Sequence, residues 1–351
     1  MSQTLRKMKF RDVDLEDPFF DSLKAQYQDF SDWFQRKADE PTYVIFDDSD
    51  GRVRGFLYLK IENGPINDVE PPLPAKKRLK VGTLKVQARG TKLGERLLKR
   101  IFDHAILEGA QEVYVTIFDT HEALIKLFER YGFVNSAVKH TPNGDENVLV
   151  RNLDNDFIDI ISSYPRFETH HKNNWLLAIY PEYHTKLFPD SILRGENPAE
   201  EQDVAHTNTI HKVYIGKISL KRMKRGDIVA IYRTTDRPGL ARYRSVISSI
   251  CIVEETKSRS DFPTIESFVE FALNHSVFSE EELRTMYLSG ERLYAVRMTY
   301  NVALPRRPNR ERLLNEVGIS EYPRWDFRPL SDGQLLRILE LGELNEGFVI
   351  N

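Results

Sequence analysis

The sequence predicts an α+β chain of two domains: a mixed twisted sheet with flanking helices over residues 1–154, then a β-barrel-like module with interposed helices over residues 155–351. Three observations predict it. Gln87-Ala-Arg-Gly-Thr-Lys-Leu-Gly-Glu-Arg-Leu-Leu98 reads as a strand running into a glycine-bearing turn that opens a helix. A second strand and helix follow, at Glu112–Phe118 and His121–Tyr131. Beyond a boundary near Asp154–Asp156 the pattern changes to many short strands with few helices between them.

The elements follow in order. From Pro18 to Lys37, Phe19, Phe20, Leu23, Tyr27, Phe30, Trp33 and Phe34 recur at helical intervals and suit opening helices laid over one side of the sheet. Tyr43–Phe46 and Val53–Ile61 flank Asp47-Asp-Ser-Asp-Gly51, a hairpin signal. Asn63–Lys77, with Pro65, Pro71, Pro72 and Pro74, reads as a long stiff loop, made basic by Lys76, Lys77, Arg78 and Lys80. Arg78–Val86 is rich in branched apolar residues, as a strand beside a core should be. Leu97, Leu98, Ile101, Phe102, Ala105 and Ile106 then keep helical spacing up to a stop at Gly109. In the next helix Leu124, Leu127, Phe128 and Tyr131 share a face, Asp119 and Glu122 suit a capping box, and Gly132 suits the stop. Asn147–Arg151 closes the domain.

A helix start leaves backbone N–H groups unpaired and carries partial positive charge, so the turn at residues 89–94 is an anion cradle that Gly90 and Gly94 let a ligand approach. No Gly-Lys-Ser/Thr ends the loop, and no acidic residue closes the following strand, which argues against nucleoside triphosphates and dinucleotides. Composition bounds the rest. The chain has 351 residues, 40% of them hydrophobic, which suffices for two cores, and its net charge of −3 gives no global pull toward nucleic acid. The single cysteine, Cys251, excludes an internal disulfide and reads as a buried strand thiol. With no apolar run of membrane length and no signal-peptide core, a soluble cytoplasmic protein with no membrane partner is expected. His170, His171, His206 and His211 lack matching ligand spacing, so no metal is expected.

Arg89-Gly90-Thr91-Lys92-Leu93-Gly94 resembles the pyrophosphate loop of the acetyl-CoA-dependent GNAT N-acetyltransferases, with Lys92 in place of the middle glycine. His121, Leu127, Phe128, Gly132 and Phe133 fall in register with that family's second signature, an Asn followed by a helix ending in Leu-Tyr-x-x-x-Gly-Phe. The resemblance implies a GNAT fold over residues 1–154 and acetyl-CoA as cofactor, bound by Leu84, Val86, Gln87, Arg89, Gly90, Thr91, Lys92, Leu93, Gly94 and Glu95, with His121 facing the pantetheine arm. Lys92 either adds charge or contributes only its backbone N–H. Phe128 stands where the family's proton-donating tyrosine is found and cannot donate, so Tyr131, or else Tyr114, is the substitute acid. No Glu or Asp in Leu79–Val86 offers itself as a base, which leaves deprotonation to an ordered water. A strand N–H near Val86 would polarise the thioester carbonyl.

In the second domain Trp175–Ile179, His211–Gly216, Asp227–Arg233, Ser245–Glu254 and Leu293–Met298 read as strands, and Ile265–Asn274, Ser279–Leu288 and Asp332–Leu341 as helices. Leu220-Lys-Arg-Met-Lys-Arg-Gly-Asp-Ile-Val-Ala-Ile-Tyr-Arg233 resembles a hairpin of the PUA-like superfamily, in particular ASCH-type domains, and Gly216–Arg222 loosely echoes the ASCH motif. Basic residues concentrate there with tyrosines between them, which suits phosphate contacts and base stacking. The candidate nucleic-acid contacts are Lys217, Lys221, Arg222, Lys224, Arg225, Tyr232, Arg233, Arg242 and Tyr243. Together the two halves imply an N-acyltransferase joined to an RNA-binding module, acting on an amine of RNA, aminoacyl-tRNA or an RNA-associated protein. The alternative is a non-enzymatic acyl-CoA sensor or nucleic-acid-binding regulator.

Overall fold

Alternating apolar residues build a seven-stranded sheet in the first half of the computed structural model, which describes residues 3–87, 92–154, 158–189, 209–237 and 239–350. The chain divides into two compact units, Met1–Asp156 and Phe157–Asn351. In the first, β1 (Gln3–Lys9), α1 (Asp21–Gln26), α2 (Phe30–Arg36), β2 (Pro41–Asp47), β3 (Val53–Ile66) and β4 (Leu73–Val86) precede α3 (Leu93–Leu107). β5 (Glu112–Phe118), α4 (Glu122–Arg130), β6 (Val134–Thr141) and β7 (Gly144–Asn152) complete it. The strand order is β1-β2-β3-β4-β5-β7-β6, antiparallel except for β4 beside β5. That parallel pair needs a crossover, and α3 supplies it, burying Leu97, Leu98, Ile101, Phe102 and Ala105 completely.

An aromatic cluster holds α1 and α2 on the sheet. Phe10 meets Phe34 at 4.8 Å and Phe56 at 5.5 Å, both edge to face. Two sequence expectations change here. Residues 63–77 are mostly strand, because the β3–β4 ladder continues to Ile66↔Leu73 and a backbone bridge ties Glu70 to Val138. Asp119 does not cap α4: its carboxylate accepts a hydrogen bond from Asn147, and the helix starts at Glu122 without a side-chain cap.

The second unit runs β8 (Phe167–Glu168), β9 (Asn174–Ile179), α5 (Pro181–Leu187), β10 (His211–Gly216), β11 (Ile228–Arg233), α6 (Ala241–Arg244) and β12 (Val246–Ser258). It continues with α7 (Ile265–Ala272), α8 (Glu280–Leu288), β13 (Tyr294–Ala303), α9 (Arg310–Asn315), β14 (Phe327–Leu330), α10 (Asp332–Leu341) and β15 (Val349–Ile350). Six strands form a sheet ordered β10-β13-β12-β11-β9-β14, and β15 pairs with β8. No ladder joins the end strands β10 and β14 among the described residues, so closure into a barrel is not part of the observed pairing. Cys251 is fully buried in β12.

The Lys224-Arg-Gly-Asp227 turn shows why its residue types are needed. Gly226 takes φ +89°, which favours glycine, and its N–H donates to the Val253 carbonyl at 2.8 Å. The buried Asp227 carboxylate accepts from Trp175 Nε1 at 2.8 Å, Asn173 Nδ2 at 3.0 Å and the Lys224 N–H at 2.9 Å.

His184 on α5 is buried, with Nε2 2.7 Å from Ser248 Oγ. Burial, with the Arg233 and Arg307 charges, pushes its pKa down from 6.5 to about 3. The unfolded chain therefore takes up a proton below pH 6.5 that the fold refuses until about pH 3, and stability falls as pH drops through that window. Between pH 7 and pH 5 the expected loss from this group is about 2 kcal/mol. Urea unfolding at the two pH values measures it. His184→Gln should flatten the dependence by that amount, and an unchanged slope would remove His184 as its source.

Candidate active site

The site begins where two strands part. β4 and β5 pair from Arg78↔Glu112 to Val81↔Val115 and no further, although β4 continues to Val86 and β5 to Phe118. Beyond Val81, β4 keeps only its β3 partner, with Thr83↔Tyr58, Leu84↔Leu57 and Val86↔Gly55. The β5-facing backbone edge of residues 82–86 therefore has no strand partner among the described residues. Gly82 is the extra residue of a bulge at the parting point, between Tyr58↔Thr83 and Leu59↔Val81. A Cβ on it would meet Tyr58 Cδ1 at 2.6 Å and Cε1 at 2.9 Å.

The gap opens into a cleft of about 610 Å³ walled by α1, α2, β4, β5 and the start of α4. Among its residues are Glu62, Lys80, Tyr27, Tyr58, Glu146 and His121. Glu62 accepts hydrogen bonds from the Tyr114 hydroxyl and, at 3.1 Å, from Lys60 Nζ, with Lys80 Nζ at 3.9 Å. Burial raises the Glu62 carboxyl, but the Tyr114 hydrogen bond and the Lys80 and Lys60 charges outweigh it, holding its pKa below the ordinary value. Burial lowers the Lys80 ammonium against the pull of Glu62. Glu146, on β7 opposite Phe118, is buried and accepts from the Tyr27 hydroxyl at 3.4 Å. Burial and the Glu146 charge push the Tyr27 phenol well above its ordinary value, so it stays a donor at neutral pH.

The sequence-derived candidates are placed as follows. Leu84 and His121 line the cleft. Val86 ends the open edge, and Gln87 binds Arg54 through its N–H at 2.8 Å and its Oε1 at 3.1 Å. Arg89, Gly90 and Thr91 lie outside the described residues. Lys92 is the N-cap of α3, Leu93 is core, and Glu95 is buried with Oε1 3.7 Å from Arg130 Nη1. A Cβ on Gly94 would meet Leu127 Cδ2 at 2.9 Å.

Tyr131 is fully buried and absent from the cleft wall, with its ring 6.5 Å from Phe102. Phe128 is equally buried, edge to face with Phe133 at 4.8 Å. Core packing thus takes the face from which the substitute acid was sought. Tyr114 serves Glu62 from behind the wall.

The polar cleft residues that sequence reading did not single out include Glu62, Glu146 and Tyr27. Glu62 signals itself weakly, as the carboxylate that follows the apolar run of β3. Glu146 and Tyr27 meet only through a contact spanning 119 residues.

In the second unit Lys221, Arg222, Lys224, Arg225, Arg242 and Tyr243 are exposed, with the Arg222 guanidinium 4.8 Å over Trp175. Lys217 is exposed but paired with Glu291. Tyr232 and Arg233 are only 2% and 7% exposed, because every side chain of β11 is buried. The Tyr232 ring therefore offers no face for a base to stack on. Among the described residues no group of three His, Cys, Asp or Glu could hold a metal ion, and no helix is long and apolar enough to cross a membrane.

Residues 8–133 match the model of the acetyltransferase (GNAT) family. No curated protein matches the chain. Solved structures similar to it include Naa20 of Chaetomium thermophilum in complex with a bisubstrate analogue, at 18% identity and TM-score 0.34, covering 42% of this chain and 86% of that one. An acetyltransferase of the GNAT family from Streptococcus pneumoniae is 12% identical at TM-score 0.32, covering 43% and 98%. ASCH from Zymomonas mobilis is 14% identical at TM-score 0.32, covering 48% and 94%.

Proposed function

We propose that this N-acetyltransferase moves an acetyl group from acetyl-CoA to an amine that enters the cleft between the parted ends of β4 and β5. The observation that carries the reading is the open edge of residues 82–86, beside a cleft whose wall includes the Glu62 and Glu146 carboxyl groups. The residues fit the cofactor. Open strand N–H groups suit an extended amide-bearing arm, and the first turn of α3 suits a pyrophosphate. Acetyl-CoA supplies an acetyl group already activated as a thioester.

The chain's own groups supply the rest. N–H groups of the open edge are free to hold negative charge as it develops on the carbonyl oxygen. Glu146 lies across β5 from the open end, where it can take the proton of the attacking amine. Glu62 sits in register with Arg78, behind the parting point, and is already engaged by Tyr114 and Lys60, so its role is to hold a cationic part of the acceptor. The Tyr27 hydroxyl stays protonated and donates to Glu146, so it holds that carboxylate in the cleft, while the departing thiolate takes its proton from water.

A second reading concerns the acceptor. The exposed Lys221, Arg222, Lys224 and Arg225 before the start of β11, with the exposed Arg242 and Tyr243 beyond its far end, support a reading of the second unit as a PUA-like, ASCH-related RNA-binding module. On that reading the amine belongs to RNA, aminoacyl-tRNA or an RNA-associated protein. Initial rates of CoA release, measured with peptide α-amines, lysine peptides, aminoacyl-tRNA and bulk RNA, test both readings. Release with at least one amine is expected. Binding of acetyl-CoA with no release for any acceptor would contradict the transfer, and release with simple peptides alone would contradict the RNA-directed form.

A further inference from the structure

Lys80 walls the cleft, yet the chemistry above gives it no part beyond its closeness to Glu62. It stands on β4 between Lys60 of β3 and Tyr114 of β5, with its Nζ 5.5 Å from the centre of the Tyr114 ring. Lys80 Nζ is 3.9 Å from Glu62 Oε1, which is beyond hydrogen-bonding reach. Glu62 is already engaged, accepting from Lys60 Nζ at 3.1 Å and from the Tyr114 hydroxyl. The other charges that act on Lys80, Lys139 and Asp68, are paired with each other at 2.6 Å. Lys80 is therefore a loosely held amine, with 28% of its side chain exposed.

Position and protonation both suit this amine to react. Lys80 precedes Gly82 by two residues, and Gly82 is the bulge at which the open edge begins. At about 3.3 Å per residue that is about 7 Å along the strand, a span that a flexible four-carbon side chain covers. Lys80 and residues 82–84 line the same cleft. Burial lowers the Lys80 pKa, and the Lys139 and Lys60 charges add to the lowering, so that Glu62 and Asp68 only partly offset it. A desolvated lysine is neutral more of the time, and the neutral form is the nucleophile.

We propose that Lys80 is itself an acceptor, taking one acetyl group from acetyl-CoA bound in the same chain, and that this modification opens Glu62 to a cationic acceptor. The inference rests on the open edge of β4 as the cofactor's seat. The neutral Nζ attacks the thioester carbonyl carbon. The N–C bond forms as the C–S bond breaks, and the proton shed by nitrogen passes through the Glu62 carboxylate and water to the departing thiolate. No further reactant is needed. An ammonium becomes a neutral amide. Before modification Lys80 competes with an incoming cation for Glu62; afterwards Lys60 is the remaining cation paired with that carboxylate among the described residues.

Peptide mass spectrometry of the full chain tests it, after incubation with isotope-labelled acetyl-CoA and no added amine. Label is expected on Lys80, at a rate per chain that does not change with protein concentration and that falls at least tenfold when excess CoA competes for the seat. Lys126, exposed on α4, reports acetylation from solution, and its slow labelling should not respond to CoA. In the chain without cofactor, NMR titration of reductively methylated lysines, with Lys80→Arg to assign the signal, should place Lys80 below the ordinary lysine value. Lys80→Gln, which imitates the amide, should show a KM for a cationic acceptor about threefold or more below that of Lys80→Arg, with similar kcat. Two results overturn the proposal: no label on Lys80 in a chain that releases CoA with an added amine, or label on Lys80 that CoA does not suppress. The first leaves the acyl-transfer reading standing, whereas failure of acetyl-CoA to bind would remove both.

Discussion

Glu146→Gln should lower kcat about 100-fold or more while leaving the affinity for acetyl-CoA within twofold, because positioned general bases contribute on the order of 10² to 10⁴. In the proposed reaction this carboxyl, on β7 opposite the end of β5, accepts the proton of the amine, and its amide replacement keeps the shape and loses the basicity. Tyr27→Phe should cost about tenfold, as expected when the hydrogen bond that positions the Glu146 carboxylate is lost. Glu62→Gln should act differently, raising KM for a cationic acceptor with little change in kcat. Steady-state kinetics at fixed pH separate these patterns. A wild-type kcat in Glu146→Gln would remove that residue from proton transfer and move the role to Glu62 or to water.

Gly82→Val carries the second large effect. Even the first added carbon falls 2.6 Å from the Tyr58 ring, and Tyr58 is buried in the aromatic core that seats α1 and α2. Either the ring or the bulge must move. Overpacking of this kind costs about 1 to 3 kcal/mol of stability. Moving the bulge also displaces the open edge proposed as the cofactor's seat. Affinity for acetyl-CoA should fall at least tenfold in calorimetry. Tyr58→Leu in the same chain makes room for the valine and should recover part of that loss. Recovery of stability without recovery of affinity would show that the bulge is not the binding element.

The sequence makes the first unit's framework readable because local chemistry and tertiary demand agree there. The helix α3 follows from its apolar spacing, and the strands β4, β5 and β7 follow from branched runs bounded by turns. Residues 63–77 misled because four prolines suggest a loop, whereas the ladder with β4 passes through irregular pairing between Gly64 and Ile66 and accepts Pro65 and Pro74 within strands. The polar side chains of the cleft were harder to find. Tyr131 shares the helical face that the motif marks, yet that face is the buried one. Glu146 becomes visible only when β7 pairs with β5 and Tyr27 reaches it from a distant segment. In the second unit, charge counting found the exposed lysines and arginines of the hairpin but misplaced Tyr232 and Arg233. Alternation predicts one face of β11 to be open, while the sheet buries both.

Hydrogen exchange of the full chain with and without acetyl-CoA tests the central claim most directly. The account predicts that saturating acetyl-CoA slows exchange at the backbone amides of residues 82–86 and in the first turn of α3, with β6 and the second unit unaffected. Tight binding without protection of residues 82–86, or no binding at all, would contradict a cofactor seated on the open edge of β4.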